Sequence, residues 1–113
     1  MKEYLLLYRM DMNTIPNRTE EQAAQVMQLW MDWIGGIAAK GQLVSRGSRL
    51  EATGRVLRSG NVVTNGPFTD IKEVLGGYSL VKAADYDEAL QMAAGCPVLN
   101  MGGSVEIREQ AGM

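Results

Sequence analysis

A chain of 113 residues, 46% hydrophobic and 21% charged, has the make-up of one globular domain, and the single-domain reading covers residues 1–113. Its net charge of −2 removes the electrostatic drive toward nucleic acid or an anionic membrane. With no histidine and a single cysteine, Cys96, the chain cannot assemble a Ser-His or Cys-His triad or an intramolecular disulfide, and a zinc site has too few ligands, so neither metal nor cofactor is expected.

The opening run KEYLLLYRM is apolar on both alternating faces, with Tyr4, Leu6, Tyr8 and Met10 on one and Leu5 and Leu7 on the other. Such a strand needs cover on both sides. Glu3, Arg9 and Asp11 break the apolar core a signal peptide would need, and no run is long enough to span a bilayer, so a cytoplasmic protein is expected. Residues 11–18, DMNTIPNR, read as a loop.

Thr19 with Gln22 three residues later forms a capping box, and Glu20 and Glu21 suit the positive end of a helix dipole. Ala23, Val26, Met27, Trp30, Ile34, Ile37 and Ala38 then follow one helical face, closed by Gly41. Gly35 and Gly36 interrupt it, which predicts either a close backbone approach or an early helix end. Trp33 and Met31 lie off the stripe, and Trp33 is either a ligand or interface anchor or a partly buried side chain covering the sheet edge.

LVSRGSRLE, residues 43–51, predicts a weaker strand whose central glycine marks either a bulge or a sheet edge. RVLR and NVVT flank Ser59-Gly60, a two-residue hairpin signal. Arg46, Arg49, Arg55 and Arg58 make this quarter basic, either as a solvated face or as a cradle for an anionic ligand. The stretch NGPFTDIKEVLGGY, residues 65–78, follows. Asn65, Gly66 and Pro67 predict that the incoming strand stops near Thr64 at a sharp corner. Phe68, the one phenylalanine, is read as pinning that corner, and Asp70, Lys72 and Glu73 place three charges in four residues. YSLVKA is a strand with Tyr78 and Leu80 on one face. Asp85 and Glu88 predict a second capped helix over 86–94, and GSVEIRE is the last strand. Cys96 has no neighbour to depress its pKa, which argues against a nucleophile.

The order strand, helix, strands with a hairpin, strand, helix, strand gives an α+β fold, a mainly antiparallel sheet with two helices on one face. The two helices can cover only one face of the first strand. A partner sheet is the simplest cover for the other, so a homodimer is expected.

NGPFTDIKE followed by LGGY resembles the signature of the YCII-related proteins of the DGPF type, and KEYLLLYR, DYDEALQMAAGCP and GGSVEIRE resemble that family's first strand, second helix and last strand. Asn65 replaces the usual Asp, and Asp70 the usual Glu. The resemblance implies a ferredoxin-like fold of the dimeric α/β-barrel type. Related proteins are thought to use a His and Asp pair, which this chain cannot supply, and many have no assigned activity. Family members are often encoded beside alternative sigma factors. Two functions follow. One is a non-catalytic small-ligand-binding or regulatory module, with Tyr8, Trp33, Asn65, Pro67, Phe68 and Tyr78 as ligand or interface residues. The alternative is a small-molecule isomerase or lyase, with Asp70 or Glu73 as base and Lys72, Tyr8 or Tyr78 as acid or stabiliser.

Overall fold

The computed structural model describes residues 1–11, 18–66 and 73–112. The elements are β1 (Lys2–Met10), α1 (Glu20–Ala39), β2 (Leu43–Arg49), β3 (Gly54–Arg58), β4 (Val62–Gly66), β5 (Val74–Ala83), α2 (Tyr86–Ala93), a 3-10 turn (Pro97–Met101) and β6 (Ser104–Glu109). Four strands form one antiparallel sheet in the order β2-β5-β1-β6. With the two helices, this is a βαββαβ arrangement consistent with the ferredoxin-like fold, with the β3–β4 hairpin inserted as a separate two-stranded sheet.

Both sheet-centre strands divide their side chains by alternation. Tyr4, Leu6 and Tyr8 of β1 and Ser79, Val81 and Ala83 of β5 are buried under the helices. Ile37 of α1, Ala89 of α2 and Val98 of the 3-10 turn complete this core. Burial of each large aliphatic side chain stabilises the fold by about 1.5–3 kcal/mol. The opposite face is different. Leu5 pairs with Leu80, and Leu7 with Tyr78, and Leu5, Leu7 and Leu80 stay only half-buried. None of the three packs with the core cluster. Beside them, Arg9 reaches Glu106 at 3.0 Å and Arg108 reaches it at 3.6 Å.

The caps explain where the helices lie. Thr19 accepts from the Gln22 amide and the Gln22 side chain accepts in return from the Thr19 amide, both at 3.1 Å. At the other end Gly41 N donates to Ala38 O and Gln42 N to Ile37 O, a Schellman closure. In α2, Asp85 accepts from the Glu88 amide at 2.9 Å, but Glu88 accepts from Ala84 N and from the Gln42 side chain, not from Asp85 N. The second capping box is therefore half formed, because Glu88 is drawn to the β2 side.

Several expectations are corrected. Helix α1 runs through Gly35 and Gly36 to Ala39, and a Cβ at either glycine would meet nothing within 4 Å. Neither a close approach nor an early end is present. Gly35→Ala and Gly36→Ala should each raise stability by about 0.5–1 kcal/mol, measurable as an increased urea midpoint at unchanged slope. Strand β4 continues past Thr64 to Gly66, paired Gly54↔Gly66 and Arg55↔Asn65. The hairpin turn holds three residues, not two, since Arg58 pairs with Val62 and Asn61 joins Gly60 at positive φ. The 3-10 turn was not foreseen. It accounts for Gly102 and Gly103: Gly102 caps the turn at φ 77, and a Cβ on Gly103 would sit 2.6 Å from Val98 Cγ2 and 2.5 Å from the Arg9 carbonyl.

Among the described residues, no helix is long and apolar enough to cross a membrane.

Candidate functional site

The apolar stripe on α1 does not rest on a filled core along its whole length. Toward its C-terminal end Ile37 is sealed, while Ala23, Val26, Met27, Trp30 and Ile34 look into a cleft of about 790 Å³ bounded across the way by β2, the start of β5 and Tyr8 of β1. That is within the usual range for small-molecule sites. Met10, Met31 and Met101 add polarisable, adaptable walls. Trp30 stands edge-on to the Tyr8 ring at 5.0 Å, so floor and wall brace each other.

The polar groups of the cleft come from the sheet. Strand β2 leaves its regular register with β5 twice, between Leu43 and Ser45 and again between Ser45 and Ser48, with Ser45 opposite Leu80 and Ser48 opposite Tyr78. The second irregularity is a bulge built on Gly47 at φ 69, the left-handed residue such bulges favour. A Cβ there would overlap the Tyr78 carbonyl. The buried Ser79 hydroxyl donates to the Arg46 carbonyl at 2.7 Å and fixes the bulge from below. Among the described residues, Arg46, Arg49, Arg18 and Glu51 are the charged ones lining the cleft. Arg18 donates to the Met101 sulfur at 2.9 Å.

Burial pushes the Tyr8 phenol far above its usual range, an effect Ser79 only partly offsets. The Ser79 hydroxyl is spent on Arg46, and no well-formed hydrogen bond reaches Tyr8 Oη among the described residues. Tyr8 is therefore protonated at neutral pH, and its buried hydroxyl has no hydrogen-bond partner among the described residues. Cys96 lies outside the cleft, 1% exposed, with burial raising its thiol to about 11, which agrees with the expectation of an inert side chain.

A second depression of about 370 Å³ lies between α1 and α2, lined by Asp32, Trp33, Gln42 and Glu88 among others. Its polar groups are largely satisfied: Trp33 Nε1 donates to Met92 O at 3.0 Å and Gln42 donates to Glu88 at 2.8 Å. The larger, more apolar cleft is the better candidate.

Of the residues singled out from the sequence, Tyr8 and Tyr78 line the large cleft. Trp33 does not. It packs against the core beside Tyr8 and Trp30, with ring centroids at 6.0 and 5.8 Å. Asn65 is exposed on β4, away from the cleft, and Glu73 is exposed just before β5, its carbonyl accepting from Arg9 at 3.2 Å. Pro67, Phe68, Asp70 and Lys72 lie outside the described residues. The four arginines divide: Arg46 and Arg49 line the cleft, whereas Arg55 and Arg58 belong to the separate hairpin. Trp30, Met27 and Ser79 were not named as site residues; the α1 periodicity pointed to the first two. Among the described residues, no three His, Cys, Asp or Glu side chains gather as a metal cluster.

No curated protein matches the chain. Among solved structures, 5-chloro-2-hydroxyhydroquinone dehydrochlorinase (TftG) from Burkholderia phenoliruptrix, in complex with 2,5-dihydroxybenzoquinone, is similar at 16% identity, with a TM-score of 0.45, over 96% of this chain and 93% of that one. The model of the YCII-related domain matches residues 3–110, nearly the whole length, and the chain belongs to that family.

Proposed function

We propose that the protein is a homodimeric, non-catalytic small-ligand-binding module of an accessory or regulatory kind, whose ligand occupies the cleft between α1 and the β2–β5 side of the sheet. The observation that carries this reading is the cleft of about 790 Å³ whose apolar wall is a helix stripe that elsewhere would be core. Leaving Met27 56% and Met31 48% exposed is unfavourable in water unless something covers them. Binding is favoured over catalysis because the described candidate base, Glu73, is exposed and is not among the residues lining the cleft. The dimer is supported by the outer sheet face, where Leu5, Leu7 and Leu80 have no covering layer among the described residues. Two such faces packed together would form the barrel-like pair that the family resemblance implies.

The chain has two tryptophans, one in each depression, which makes a direct test possible. On titration with the neutral aromatic alcohol 2-naphthylmethanol, the indole N–H resonance of Trp30 should shift saturably. That of Trp33, held on Met92 O, should move little. A shift confined to Trp33, or none at either indole, would overturn the assignment of the cleft.

A further inference from the structure

We infer that the ligand is a small organic anion, a monocarboxylate with an apolar body, and that Arg46 and Arg49 form the seat for its charge. This rests on the cleft being the binding site. In a regular strand residues three apart point to opposite faces. The bulge at Gly47 inserts one extra residue between Ser45 and Ser48, and both arginines consequently border the same cleft. Ser79, 1% exposed, anchors the bulge through the Arg46 carbonyl.

The two guanidinium groups are uncommitted. Arg9 and Arg108 are paired with Glu106, but among the described residues neither Arg46 nor Arg49 makes an ion pair. Among the described residues, three arginines line the cleft against a single carboxylate, Glu51, in a protein whose net charge is −2. Local charge therefore runs against the overall charge, as a built anion seat requires. Guanidinium groups bind carboxylate and phosphate alike. The apolar part of the lining favours a carboxylate: Met10, Val26, Met27 and Ile34 offer no hydrogen-bond partner to a multiply charged, heavily hydrated ion, and with the Trp30 ring they suit the body of an amphipathic acid.

The test is calorimetric titration with 2-naphthoate, with its neutral counterpart 2-naphthylmethanol, and with inorganic phosphate, all at pH 7. Naphthoate should bind at least about tenfold more tightly than the alcohol, and the double variant Arg46→Gln, Arg49→Gln should erase that difference while leaving alcohol binding in place. Should that variant fold poorly, the unsubstituted protein still decides the matter: raising NaCl from about 0.05 to 0.5 M should weaken naphthoate but not the alcohol. Equal affinity for acid and alcohol would overturn the anion seat while the cleft assignment stands. Binding of neither would overturn both. Phosphate displacing naphthoate at comparable concentration would overturn the requirement for an apolar body.

Discussion

A Leu80→Glu protein is expected to sediment as a monomer at concentrations where the unsubstituted protein forms the proposed dimer. Leu80 sits on the uncovered side of β5, opposite Leu5, and is half-buried within one subunit. In the isolated subunit a glutamate there can reach water, so subunit stability should fall by no more than about 1 kcal/mol. Between two packed sheets the same carboxylate would be buried without a partner, which costs several kcal/mol and exceeds what a modest interface can absorb. Sedimentation velocity together with circular dichroism separates the two effects. An unchanged dimer would place the contact elsewhere, and a melted subunit would mean that Leu80 supports the fold itself.

The second large effect is expected at Gly47. Gly47→Ala should lower stability by at least about 2 kcal/mol, a fall in Tm of roughly 8 °C or more, because left-handed strain of roughly 1–2 kcal/mol adds to the overlap of the new Cβ with the Tyr78 carbonyl. Gly60→Ala is the control. Gly60 has φ 83, yet a Cβ there meets nothing within 4 Å, so only the strain is paid. If thermal melts of the two variants coincide, the bulge is not held by the contact assigned to it. A folded Gly47→Ala protein should also lose affinity for anionic probes, since the register that carries both arginines to the cleft would be disturbed.

Much of this was legible in the sequence, and what was not has identifiable causes. Thr19 and Gln22 announced the start of α1 through local hydrogen bonding alone, and that box is formed. The alternation in KEYLLLYRM separated Tyr4, Leu6 and Tyr8 from Leu5 and Leu7, as the burial of β1 now does. Periodicity, however, tells which residues share a face and says nothing about what stands opposite. The stripe from Ala23 to Ile34 therefore gave no sign that it borders open space. Trp33 was set apart from that stripe by too narrow a criterion: it lies about 60° around the helix from Trp30, inside the width of an ordinary buried face. The division of the arginines depends on the hairpin forming its own sheet, a long-range choice that spacing does not encode. The charged corner at Asp70 and Lys72, the strongest motif in the sequence, falls outside the described residues, and the candidate cleft was found without it.

The separate hairpin has a consequence for how the molecule breathes. Its strands bond to each other and to neither edge of the main sheet, and Leu57 and Val63, a directly opposed pair, are 67% and 61% exposed. A two-stranded ribbon with so little buried surface is marginal in water. Amide protons at 54–66 should then exchange with solvent through local opening, while those of β1 and β5, sealed at the sheet centre, wait for global unfolding.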